Sequence, residues 1–116
     1  MNLYNVWFDL KPGVRDVDCC EHLTKYMTHL KDEGLIEGWR LTRRKLGLGI
    51  PELGEFHIAI EVKDLRQLEA AFERVAARRE PTEGFHFGAN VLVTNARFAL
   101  YRDFPDEVRH RGEEQF

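Results

Sequence analysis

The sequence predicts an α+β fold of the ferredoxin-like kind. The order is βαββαβ, a four-stranded antiparallel sheet with two helices on one face. Three observations carry this. First, each candidate strand alternates apolar and polar residues. In the third, Phe56, Ile58, Ile60 and Val62 point one way, and Glu55, His57, Ala59 and Glu61 the other. Strands covered on both faces would read as continuous apolar runs, so helices cover only one face. Second, amphipathic helical stretches separate strands one and two, and strands three and four. Third, right-handed crossovers bring both helices to the same side. The open face must then meet water, a ligand or a second copy of the chain.

Strand one covers roughly residues 3–10 and stops at Lys11-Pro12-Gly13. The first helix begins at Asp16, or at Asp18 in a capping box with Glu21, and runs to Glu33, with Gly34 as its C-cap. Cys20, Leu23, Met27 and Leu30 form its apolar stripe. Strand two covers roughly 36–46, with Trp39 and Leu41 toward the helices and Arg40, Thr42 and Arg44 away from them. Gly47, Gly49, Pro51 and Gly54 mark a loop before strand three. The second helix takes Asp64 as N-cap with Gln67 at the third helical position. Its stripe is Leu65, Leu68, Phe72 and Val75, and it ends near Arg79, ahead of Pro81. Gly84 and Gly88 make residues 83–93 a loop with at most one helical turn. The last strand covers roughly 94–101, with Ala96, Phe98 and Leu100 inward and Arg97, Ala99 and Tyr101 outward. The domain is thus expected over 1–104. Residues 105–116 form a charged tail that is either mobile or wraps a partner.

The length of 116 residues suits one domain with one core. Apolar residues make up 43% and charged residues 32%, as in ordinary soluble domains. A net charge of −3 gives no electrostatic footprint for nucleic acid. No apolar run is long enough to span a membrane. The N-terminus enters a strand pattern without the features of a signal peptide, so a cytoplasmic location is expected. The adjacent Cys19 and Cys20 point about 100° apart on a helix, too divergent to bridge each other. They read as packed or half-buried thiols.

The candidate site residues lie on the open face: Trp7, Arg40, His57, Arg97 and Tyr101. His57 titrates near neutral pH and is the candidate general base. The competing role is a hydrogen-bonded histidine at a dimer interface, which is the commoner one. Arg40 or Arg97 would hold a carboxylate or enolate through a bidentate contact. Trp7 and Tyr101 would wall the ligand, or pack across the interface. Arg40, Arg44 and Arg97 share a face with Glu55 and Glu61, which suggests cross-strand ion pairs first and a ligand-holding arginine second. One histidine beside Glu55 or Glu61 does not make a metal site, and neither metal nor cofactor is expected. His86, in the expected loop, reads as a surface or cap residue. The glycine-rich stretch 47–54 lacks the Lys-Ser/Thr of a phosphate loop and reads as a connection or a dimer-embracing arm. Cys19 with His22 lacks the third member of a nucleophilic triad.

Two segments carry a family resemblance. Phe8-Asp9-Leu10-Lys11-Pro12-Gly13-Val14 resembles the first strand and turn of the stress-responsive branch of the dimeric α+β barrel superfamily. The run from Phe56 to Phe72, a strand followed by a capped Asp-Leu helix, is similar to it too. The likeness covers most of residues 3–101. It breaks at Arg78-Arg79-Glu80-Pro81, where that branch often carries a His-Pro-x-x-His type segment, so no function tied to that segment is implied. Arg43-Arg44-Lys45-Leu46-Gly47-Leu48-Gly49 suggests a separate bacterial subgroup. An RNA-recognition motif is excluded, because strand three shows no aromatic platform. ACT-type regulatory domains share only the Pro-Gly turn, and normally accompany a catalytic domain that is not expected here. The resemblance implies a homodimer with two sheets packed face to face. Its relatives include cofactor-independent monooxygenases and isomerases of small lactones, with ligands between the open sheet face and nearby loops. The expectation is therefore a homodimer binding a small anionic or aromatic compound, with or without turnover. The alternative is a non-catalytic dimer whose polar sheet face is only its interface.

Overall fold

The computed structural model describes residues 1–105. Its elements are β1 (Asn2–Leu10), α1 (Asp16–Asp32), β2 (Gly38–Arg43), β3 (Phe56–Val62), α2 (Leu65–Ala76), α3 (Thr82–Asn90) and β4 (Val93–Arg102). The sheet is antiparallel throughout, in the order β2-β3-β1-β4. This is the expected α+β ferredoxin-like fold with one helix more than expected. α3 occupies the stretch read as a loop. Its two glycines lower intrinsic helix propensity by roughly 1 kcal/mol each. Packing of α3 against α1, which buries Thr82 and Ala89, outweighs that cost. The charged tail lies, from residue 106 onward, outside the described residues.

Local chemistry explains where the elements begin and end. α1 starts after Arg15 without a side-chain cap; Asp16 instead accepts the N–H of Val17 at 2.7 Å. The expected Asp18–Glu21 box does not form, although Asp16 and Asp18 still place negative charge on the first turn. At the other end Gly34 adopts φ +73°, which lets Leu35 N–H reach back to Leu30 O at 2.9 Å. The α2 cap forms as expected at Asp64, which accepts Gln67 N–H at 2.9 Å, while the Gln67 side chain reaches one residue further back and accepts Lys63 N–H at 2.7 Å. Asp9 ties three strands together. It accepts from Glu55 N–H at 2.9 Å and from the Asn95 side chain at 3.0 Å, where the β1–β4 register shifts at a bulge. The Asn95 amide first, then the Glu55 N–H and nearby Arg44, hold its carboxyl below the usual carboxylate range against opposing desolvation. Gly54 is required where β3 enters the sheet, because a Cβ there would overlap the backbone of Phe8.

The core forms between the sheet and α1, with Phe8, Ile58, Ile60 and Val62 facing Leu23, Met27 and Leu30. Three expectations need correction. The buried α1 stripe runs through Cys19, not Cys20, which is exposed; both are free thiols. α2 ends at Ala76 and buries Leu68 and Ala71, whereas Leu65 and Phe72 are exposed. Phe98 and Leu100 share the sheet face of buried Ile58 and Ile60, yet are themselves exposed. The cause is position: the helices pack over β2 and β3, and β4 is an edge strand at the far side. β2 also ends earlier than expected, at Arg43. Arg44 turns into the following loop and donates to the carbonyls of Ile50 at 3.1 Å and Leu53 at 2.6 Å. Arg43, not Arg44, makes the ion pairs, to Glu55 at 3.0 Å and Asp16 at 2.9 Å. No described helix is long and apolar enough to cross a membrane.

Candidate functional site

The strand register fixes the open face. Thr42, His57, Trp7 and Arg97 form one row across all four strands, and Arg40, Ala59, Asn5 and Ala99 the next. His57 stacks on Trp7 with ring centroids 4.7 Å apart. Its Nε2 lies 2.8 Å from Asn5 Oδ1, so Nε2 is the donor and Nδ1 is left as acceptor in the neutral ring. Asn5, buried on this face, passes its own N–H groups to Leu3 O at 3.2 Å and Ala99 O at 3.5 Å. Burial holds His57 below the usual histidine value, so the ring is uncharged at neutral pH. Arg97 donates to Ala96 O at 3.1 Å, and Arg40 and Tyr101 are exposed. Arg40 stands on the opposite sheet edge from Arg97 and Tyr101, three strand spacings or roughly 14 Å away. Within one chain His57, Trp7 and Arg97 share a row; Arg40 and Tyr101 do not join it.

The helix side of the same sheet is different. Between β1, β4 and the three helices lies a cavity of about 310 Å³. Its walls are mostly apolar, among them Val6, Met27, Ile58, Ile60 and Ala71. Tyr26 and His86 also line it, their rings 5.6 Å apart at 63°. Two helix faces build this polar corner. α1 presents His22, Tyr26 and His29 at spacings of four and three, one stripe of a helix. α3 answers with Thr82, Glu83 and His86. His29 Nε2 and Thr82 Oγ1 are 2.7 Å apart, which pins the two helices together. Burial, with smaller contributions from Tyr4 and Glu83, pushes the Tyr26 phenol up to about 12. It is therefore a protonated donor at neutral pH. Glu83 Oε2, near enough to act on the Tyr26 phenol but outside the cavity lining, is buried with no hydrogen-bond partner among the described residues. An oxygen of that kind calls for a water or a ligand group. At the cavity wall the corner offers a phenol donor and an imidazole beside apolar volume, which is the usual composition of a small-molecule pocket. Among the described residues no three His, Cys, Asp or Glu side chains gather as metal ligands.

Sequence reasoning missed Tyr26, Glu83 and His86 as a group because α3 read as a loop. The available signal was the three-residue spacing of Glu83 and His86, matched by the His22–Tyr26–His29 stripe on α1.

Solved structures of the same fold exist at low identity. A protein of Arabidopsis thaliana, At3g17210, is 14% identical with a TM-score of 0.66, over 93% of this chain and 100% of its own. A mutant form of SnoaB, a cofactor-independent oxygenase from Streptomyces nogalater, is 12% identical with a TM-score of 0.61, over 93% and 97%. A dimeric protein of unknown function and ferredoxin-like fold from Bacteroides fragilis is 9% identical with a TM-score of 0.59, over 88% and 95%. The resemblance to dimeric α+β barrels read from residues 8–14 and 56–72 thus holds at the level of fold. No curated protein matches the chain. A family model, described as a family of unknown function (DUF6614), matches residues 1–116, and the chain belongs to that family.

Proposed function

We propose that this protein is a homodimer that binds a small, largely apolar or aromatic molecule in the cavity beneath its helices. The observation that carries this reading is the cavity itself, mostly apolar, with Tyr26 and His86 in contact in its wall. In this reading Tyr26 donates a hydrogen bond to an oxygen of the ligand, and His86 accepts or relays a proton. SnoaB is a cofactor-independent oxygenase on this fold, which supports turnover without a bound cofactor. The open face, with its row of paired polar and aromatic side chains, is then the dimer interface. Dimeric neighbours such as the Bacteroides fragilis protein support that assignment. A two-fold contact there gives Trp7 and Leu3 a partner surface. The test uses 1-naphthol as a probe, followed by thermal shift. It should raise the wild-type midpoint, raise that of Tyr26→Phe less, and leave that of Ala96→Phe unmoved, because the added ring fills the cavity. A shift that survives Ala96→Phe unchanged would place the probe elsewhere and overturn the reading.

A second reading puts the chemistry on the open face, with His57 as base and Trp7, Arg40, Arg97 and Tyr101 around an anion. One observation favours it: desolvation keeps the His57 ring uncharged at neutral pH, as a base requires. Here Arg40 would have to come from across the two-fold axis. Benzoate should then raise the midpoint more than benzamide, by a margin that falls with added salt and vanishes in Arg40→Met. No benzoate shift in the wild type removes this reading.

A further inference from the structure

Among the described residues, two of the exposed apolar surfaces concern the cavity and the β2–β3 loop. One is the tip of the β2–β3 loop, where Leu46, Leu48 and Ile50 are 84%, 77% and 57% exposed. The other is the rim of the cavity between α2 and β4, where Phe72 and Phe98 are 49% and 61% exposed although both line the cavity. Soluble proteins rarely leave such patches bare. The tip is not a slack loop. Arg44 clamps the carbonyls of Ile50 and Leu53, and Leu46 and Gly47 turn the chain at φ +57° and +67°. Three aliphatic side chains are therefore held out on a built scaffold.

Strand directions say where the tip can go. Among the described residues β2 and β4 are the two edges of the sheet, and they run in opposite directions. When two such sheets close around a two-fold axis along the barrel, β2 of one copy lies antiparallel beside β4 of the other. The end of β2 then meets the start of β4. The loop leaves β2 at Arg43, and the cavity rim lies along β4 through Val93, Ala96 and Phe98. In that assembly the tip of one copy stands over the start of the other's β4, beside its cavity-lining Val93 and Ala96.

We propose that Leu46, Leu48 and Ile50 of each copy seat on Phe72 and Phe98 of its partner and close the partner's cavity. This rests on the homodimer reading above. The ligand site would then be incomplete in a single chain, and ligand exchange would require the tip to lift.

The test is a cross-link between two differently marked chains. In a Cys20→Ser background, which removes the exposed thiol, one population carries Leu48→Cys and the other Phe98→Cys. The two are mixed, allowed to exchange, and oxidised. Leu46→Cys and Ile50→Cys serve in turn, so that one poorly aimed thiol does not decide the result. The proposal expects a disulfide-linked species at twice the 13.6 kDa chain mass in the mixture and not in either population alone. It also expects Leu48→Asp to release bound 1-naphthol at least several-fold faster while light scattering still reports a dimer. A dimer that cross-links at none of the three positions overturns the closure and leaves the homodimer standing. A monomer by light scattering overturns both. Co-sedimentation of wild type, but not Leu48→Asp, with anionic phospholipid vesicles would make the tip a membrane contact and also overturn the closure.

Discussion

The two faces of this sheet obey one alternation rule and end in opposite states. On the open face, polar and aromatic residues are closely paired: His57 with Asn5 at 2.8 Å, and His57 stacked on Trp7. On the face covered by helices, large apolar residues leave a cavity of about 310 Å³. Alternation says which face is covered. It does not say whether the cover fills the space beneath it. Here α1 and α2 lie over β2 and β3, and the β1–β4 side is left under-packed. Polar groups that could do chemistry therefore gather at the edge of the apolar layer.

The largest effect should separate the packed part of the helix side from the under-packed part. Phe8→Ala, at a residue only 2% exposed, should cost on the order of 3–5 kcal/mol in urea denaturation. Phe72→Ala, at the cavity rim, should cost about 1 kcal/mol, since half its surface already meets water. Equal losses would mean that the rim is as well packed as the core. Next, Asn5→Ala leaves His57 Nε2 without its partner on the open face and should cost about 1–3 kcal/mol. Ala96→Phe should shift stability by less than roughly 1 kcal/mol, because it fills space already present. A loss of about 1–3 kcal/mol is what overpacking a tight core gives, and would argue that the cavity is absent.

The smallest effect is in pH. Burial lowers the folded-state value of His57 below 6.5, so the unfolded chain binds its proton first as pH falls. The contribution of His57 is complete above about pH 6.5 and is lost as pH drops from there through the folded-state value. Wild type should thus lose stability over that window more steeply than His57→Gln. Parallel curves would mean that the ring is as well solvated folded as unfolded. The depressed Asp9 carboxyl acts in the same direction but lower, below its ordinary value of 3.8.

The parts of the fold that were legible in the sequence are those set by local rules. Alternation gave the facing of all four strands, and the Asp64–Gln67 box fixed the start of α2 to the residue. What local rules did not reach was set by tertiary position. Phe98 and Leu100 alternate like core residues, but on an edge strand beside an unfilled cavity they stay exposed. Cys19 and Cys20 serve an apolar stripe about equally well, and only the rotation of α1 against the sheet buries Cys19. Gly84 and Gly88 hid α3, and with it the buried Glu83 and the contact of His86 with Tyr26. On the open face His57, Trp7 and Arg97 could be read from alternation, whereas the separation of Arg40 from Arg97 depends on strand order, which alternation does not give.

The central claim is that a small molecule enters on the helix side of the sheet. Methyl-resolved NMR during a titration with 1-naphthol tests it most directly. Met27 and Ile60 report the cavity, and Ala59 and Ala99 report the open face. Saturable shifts at Met27 and Ile60, with Ala59 and Ala99 unmoved, are the predicted result. Shifts confined to Ala59 and Ala99 would contradict the claim and return the site to His57 and the open face.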